Sequence, residues 1–206
     1  MSSLIFYTDE NQIYVATDTL ATESNGVPFL LTSKALHIPH LNIIVAGTGQ
    51  GGFLSNFILH LNSYMVVNNI NQLNYHTPEL LSRLWSQHKE QFGTSEQSTS
   101  TIYIFGFCEL TGRVISFAYR SVSEFISEEL PYAIGVKPEC PLPENVSLNE
   151  NIPEIMLKQI EIQKKESNPV YIGGSIQELH MTKEQCPSRS IYEFEDLASA
   201  AKQIFL

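Results

Sequence analysis

A hydroxyl on the first residue of a chain can do chemistry that the same group elsewhere cannot. The α-amine of that residue is within reach as a base, and its ordinary pKa of about 7.7–8.0 lies near working pH. Ser2 is one processing step from that position: removal of Met1 would expose it, and initiator methionine is commonly trimmed ahead of a small residue. Such a nucleophile needs support. A lysine cation nearby disfavours protonation of the amine. A carboxylate beside the lysine holds it charged and aimed, and a backbone N–H in a tight turn stabilises the oxyanion. The required residue types occur at Asp18, at Lys34 and in the glycine run that opens at Gly47. Taken singly each has a plainer reading: Asp18 can end a strand, Lys34 can be an exposed strand residue, and Ser2 can belong to a frayed terminus.

Other patterns carry less. Gly47-Thr48-Gly49-Gln50-Gly51-Gly52 fits G-x-G-x-x-G between a strand and a helix. A dinucleotide site also needs a βαβ unit and an acid about 20 residues on. Here one helix runs into another, and Ile70-Asn71-Gln72-Leu73-Asn74 offers no acid. The glycines are read instead as a tight strand-to-helix turn with outward N–H groups. His37 and His40 flank Ile38-Pro39, but His60, His76, His88 and His180 complete no metal-ligand spacing. Tyr103, Phe105 and Phe107 alternate, as on a sheet face. No metal and no organic cofactor is expected.

The elements that must position these groups follow from periodicity. Leu4 to Thr8 and Gln12 to Asp18 are β-prone runs around the turn residues Asp9-Glu10-Asn11. Ser33 to Ile38 and Asn42 to Ala46 repeat the arrangement around Pro39-His40, and the second run reads as buried on both faces. Phe53, Leu54, Phe57, Ile58, Leu61, Tyr64 and Met65 recur at helical spacing. A second helix is expected from Thr77-Pro78, with Thr as cap and Pro in the first turn. After polar Thr94 to Thr99 come Ile102 to Cys108, a turn at Leu110-Thr111-Gly112, and Val114 to Tyr119. Pro131 to Val136 is a possible strand, Pro138 to Pro143 a rigid connector, and Ile152 to Lys165 a helix. Val170 to Ile172 and Ile176 to Met181 are read as strands around Gly173-Gly174, and Asp196 to Phe205 as the last helix. Strands and helices do not alternate one for one, which disfavours a doubly wound parallel sheet and favours antiparallel sheets with helices packed outside. No repeat or linker divides the chain, so residues 1–206 are taken as one domain.

The bulk composition agrees. The 206 residues are 43% hydrophobic and 17% charged, enough to bury one sizeable core. A net charge of −10, with Lys and Arg scattered, argues against nucleic acid and anionic membranes as partners. Cys108, Cys140 and Cys186 form no CxxC pair, the start lacks a signal-peptide pattern, and no apolar run approaches a membrane span. A cytoplasmic protein is expected.

The beginning of the chain resembles a known family. Ser2-Ser3-Leu4-Ile5, a hairpin, Val15-Ala16-Thr17-Asp18-Thr19, Lys34, and Val45-Ala46-Gly47 before the first long helix follow one another as in proteasome β-subunits and their bacterial protease relatives. The spacing from Ser2 through Asp18 to Lys34 matches that family without a gap, and Ala133-Ile134-Gly135 is similar to its late Ile-Gly. The resemblance implies a four-layer αββα sandwich of the α+β class, two antiparallel sheets flanked by helices. It implies Ser2 as nucleophile and base, Lys34 as the tuner of its amine, Asp18 as the orienter of Lys34, and the Gly47 amide as oxyanion donor. The activity implied is amide- or peptide-bond hydrolysis, with a peptide or small amide as substrate and a homo-oligomeric assembly. Because proteasome rings also contain inactive subunits, a non-catalytic assembly or binding protein is the alternative. Serine in place of the usual first threonine carries the same hydroxyl, but two further departures favour that alternative: Val136 replaces a serine after Ile-Gly, and Asn168-Pro169 brings no aspartate or serine into register before Gly173-Gly174.

Overall fold

A computed structural model describes residues 2–23, 25–94, 98–142 and 148–205, with backbone only for 148–150. Strands β1 (Leu4–Thr8) and β2 (Ile13–Asp18) form the first hairpin. Its turn is fixed by the Asp9 carboxylate, which accepts from the Asn11 and Gln12 amides at 2.7 and 3.0 Å. Short strands β3 (Leu20–Thr22) and β4 (Pro28–Leu31) pair with each other. Next come β5 (Ala35–Ile38), β6 (Ile43–Gly49), α1 (Phe53–Ser63) and α2 (Ile70–Phe92). The chain continues through β7 (Ser100–Phe107), β8 (Val114–Arg120), β9 (Ser127–Glu129), β10 (Ile134–Lys137) and α3 (Leu148–Gln163). It closes with β11 (Ser175–Met181), β12 (Ser188–Glu193) and α4 (Leu197–Phe205).

Two five-stranded antiparallel sheets result, ordered β10-β1-β2-β11-β12 and β5-β6-β7-β8-β9. Alternation along each strand gives every sheet two apolar faces. Leu4, Phe6, Val15, Ala46, Tyr103 and Phe105 meet between the sheets. On the outer side of the second sheet, Ile43, Val45, Ile102 and Ile104 meet Phe53 and Phe57 of α1 and Leu81 and Leu84 of α2. On the outer side of the first, Ile5 and Ala16 meet Ile152, Ile155 and Met156 of α3. The layers are helix, sheet, sheet, helix, the α+β sandwich expected. Among the described residues no helix is long and apolar enough to cross a membrane.

The structure corrects three local expectations. Helix α2 begins at Ile70, not Thr77: Asn69 is the cap, its side chain accepting from the Gln72 amide at 2.9 Å, and Pro78 lies inside the helix. Burial of Ile70 and Leu73 in the helix-layer core offsets the hydrogen bond that Pro78 cannot donate, and Thr77 turns its hydroxyl back to the Leu73 carbonyl. Val170 to Ile172 is not a strand. The Val170 amide bonds the Gln163 side chain at 2.8 Å rather than a neighbouring strand, while Val170 and Ile172 still reach the core. Strands β3, β4, β9 and β12 have no marked alternation in the sequence. They are short or solvent-facing, and β12 reads Ser-Arg-Ser-Ile-Tyr-Glu. The expected polar stretch at 94–99 and the connector at 138–143 fall partly outside the described residues.

If α2 starts where the Asn69 cap places it, Asn69→Ala costs about 1 kcal/mol of stability in urea unfolding. A helix beginning at Thr77 would leave that substitution neutral.

Candidate active site

The site is organised by a buried carboxylate. Asp18 ends β2 and is 0% exposed, and each of its oxygens is engaged. Oδ2 accepts from Lys34 Nζ at 2.8 Å and from the Gly173 amide at 3.2 Å, and Oδ1 accepts from the Ser3 amide at 2.8 Å. Lys34, 6% exposed, also donates to the Leu20 carbonyl. A buried ion pair holds only with further hydrogen bonds around it, and backbone groups from three further segments supply them here. The two charged residues singled out in the sequence are thus in direct contact.

Ser2, Lys34 and Gly47 line one small cleft of about 60 Å³, with Ser33, Thr48 and Ser100 on its walls. The Gly47 amide does not serve as the free donor expected of it, because it donates to the Lys34 carbonyl at 3.1 Å. Amides alternate from edge to edge along a strand. The Thr48 carbonyl therefore faces β7, where it accepts from the Ser100 hydroxyl at 3.2 Å, and the Gly49 amide returns to the Gly47 edge. There β5 has already ended, since it begins only at Ala35. Gly49 has φ +110°, and a Cβ on it would lie 2.2 Å from the Thr99 carbonyl oxygen, so only glycine fits. Gly52, at φ +82°, then turns the chain into α1.

The glycine turn rests on an aromatic floor. His88 of α2 stacks on Trp85 with ring centroids 5.7 Å apart and meets Phe53, the first residue of α1, edge-on at 5.7 Å. Burial holds the His88 imidazole below its ordinary pKa, and burial likewise lowers His37, partly countered by a hydrogen bond that His37 donates to Asn42. His40 is exposed. Among the described residues no cluster of three or more His, Cys, Asp or Glu could hold a metal, and all three thiols are free. The glycine run does join a strand to a helix, but within an antiparallel sheet rather than a βαβ unit.

The departures are visible in place. Val136 sits in β10 opposite Ile5 and packs into the α3-side core, bringing no hydroxyl. Two polar residues of the site went unmarked in the sequence, Ser3 and Gln159, joined by a 2.6 Å hydrogen bond and both buried. Gln159 had a signal: Ile152, Ile155, Met156 and Gln159 share one stripe of α3, and an amide on an apolar stripe requires a partner.

No protein-family model matches the chain, and no curated protein matches it in sequence. In fold the chain is similar to a solved structure, the Gly-1 mutant of Anbu from Hyphomicrobium sp. strain MC1, with a TM-score of 0.62 and 11% sequence identity, over 99% of this chain and 92% of that one. The fold is that of the proteasome-like N-terminal-nucleophile hydrolases. At this identity the match speaks for the fold alone. Within the proteasome-like sandwich, Ser2, Lys34 and the glycine turn meet at one cleft, with Asp18 behind Lys34.

Two outcomes are expected. Lys34→Met leaves the Asp18 carboxylate buried without its counter-charge and lowers stability by about 3–5 kcal/mol, read by chemical denaturation. Because the folded state binds a proton at His88 less readily than the unfolded chain, its contribution is complete above about pH 6.5 and is lost as the pH falls from there through the depressed folded value. His88→Phe should flatten that acid-side loss in a series of melting temperatures against pH, with His37 and Asp9 contributing to what remains.

Proposed function

We propose that this protein hydrolyses an amide or peptide bond through Ser2 once Met1 is removed, using only protein groups, and that it works as a homo-oligomer. The observation that carries this reading is the shared cleft, where Ser2 and Lys34 meet the glycine turn while Asp18 holds Lys34 from behind.

In the first step the Ser2 Oγ attacks the scissile carbonyl carbon, and its proton passes to the α-amine of the same residue. The oxyanion that forms accepts a hydrogen bond from the Gly49 amide, in place of the Gly47 amide that the Lys34 carbonyl occupies. Collapse of the tetrahedral intermediate breaks the C–N bond, and the α-ammonium returns its proton to the departing amine. A water then attacks the Ser2 ester, giving its proton to the α-amine, and the acid leaves as the Ser2 hydroxyl is restored. Throughout, Lys34 stays charged beside Asp18 and keeps the amine deprotonated between transfers.

The non-catalytic reading has its own support: Val136 stands where a serine is expected, and neither an aspartate nor a serine is in register before Gly173-Gly174. Native mass spectrometry separates the two. The hydrolase reading expects a chain lacking Met1, a homo-oligomeric complex, and one adduct at Ser2 after exposure to an electrophile aimed at terminal nucleophiles. Ser2→Ala removes that adduct. Fully processed protein that takes no adduct transfers the chain to the assembly or binding role.

A further inference from the structure

The opening of the chain is pinned one residue behind Ser2, and we infer that Gln159 of α3 is a positioning residue for Ser2, acting through the Ser3 hydroxyl. This rests on the reading of Ser2 as the nucleophile.

The orientation of Gln159 is set by its partners. Its Nε2 donates to the Pro138 carbonyl, a group that can only accept. Its Oε1 is therefore the end that faces Ser3, and the Ser3 hydroxyl is the donor in their 2.6 Å bond. Ser3 and Gln159 are 0% and 1% exposed, so water does not compete for either. The Ser3 amide, meanwhile, donates to Asp18 Oδ1 at 2.8 Å. That N–H belongs to the planar peptide unit that carries the Ser2 carbonyl. One bond thus fixes the plane from which Ser2 projects, and the other fixes the residue behind it, both relative to the carboxylate that holds Lys34.

With Met1 gone, Ser2 has no other covalent attachment. An unsupported first residue frays, and a nucleophile misplaced by about 1 Å can lose two orders of magnitude in rate. The serine expected at position 136, and the aspartate and serine expected before Gly173-Gly174, are missing from this chain. Gln159 supplies a polar anchor from a different layer, on a helix stripe where an apolar side chain would otherwise be favoured.

The test uses protein lacking Met1 and two readouts. The first is the pH titration of the Ser2 α-amine, followed by its acylation with an amine reagent and mass spectrometry. In the wild type the midpoint should lie below the ordinary 7.7–8.0, owing to the Lys34 ammonium. The second is the rate at which the electrophile labels Ser2. Gln159→Leu and Ser3→Ala should each return the midpoint to the ordinary range and slow labelling about ten- to a hundredfold, with the concentration dependence of labelling unchanged. The double variant should be no slower than the slower single, because both break the Ser3–Gln159 bond. Ser3→Ala, which removes a single oxygen, decides the matter where Gln159→Leu does not fold. Folded variants that titrate and label like the wild type overturn the inference, and so does a wild-type amine with an ordinary midpoint. If the wild type takes no label but its amine midpoint still shifts in both variants, the positioning role stands and the hydrolase reading fails.

Discussion

A lysine ammonium and an aspartate carboxylate, 2.8 Å apart and nearly sealed from water, impose the constraint on which the site depends. Two charges taken out of water are tolerable only when further hydrogen bonds surround them. Here the bonding groups come from the chain's start at Ser3, from β3 at Leu20 and from the loop at Gly173. Those segments must meet if the pair is to exist. The pair therefore acts as a geometric lock more than as a source of stability: it specifies where the first strand begins relative to Lys34 and the glycine turn.

The turn is constrained from the opposite side. Gly49 has no room for a side chain against Thr99, and α1 starts three residues after Gln50 because Phe53 must reach the core between Trp85 and Phe125. The amide edge that faces the cleft is thus fixed by packing in the helix layer, while the carboxylate is fixed by the other sheet. The cleft lies where these two independently packed layers converge, and this is why its geometry depends on both cores.

The layer order is shared with a solved proteasome-like structure at 11% identity, since a sandwich of this kind needs only apolar alternation at the right periods. Support for the terminal residue is more local, requiring particular donors at particular atoms. In this chain it takes the form of Ser3 and Gln159, with no hydroxyl at position 136. A fold can persist while the means of holding one residue in place changes.

The sequence by itself determined much. The hairpin around Asp9, the helical stripe from Phe53, the alternation in β7 and antiparallel sheets with helices outside were legible from local periodicity and turn chemistry, and the four-layer order from the family resemblance. So was the proximity of Asp18 and Lys34, through resemblance in spacing. The tertiary structure decided the rest. It started α2 at Ile70, since core burial outweighs one lost backbone bond at Pro78. It gave the Gly47 amide to Lys34 and left the Gly49 amide on that edge, because strand register is a property of pairs of strands and not of one. It also joined Ser3 to Gln159, 156 positions apart along the chain, a contact that exists only once both sheets and α3 have packed.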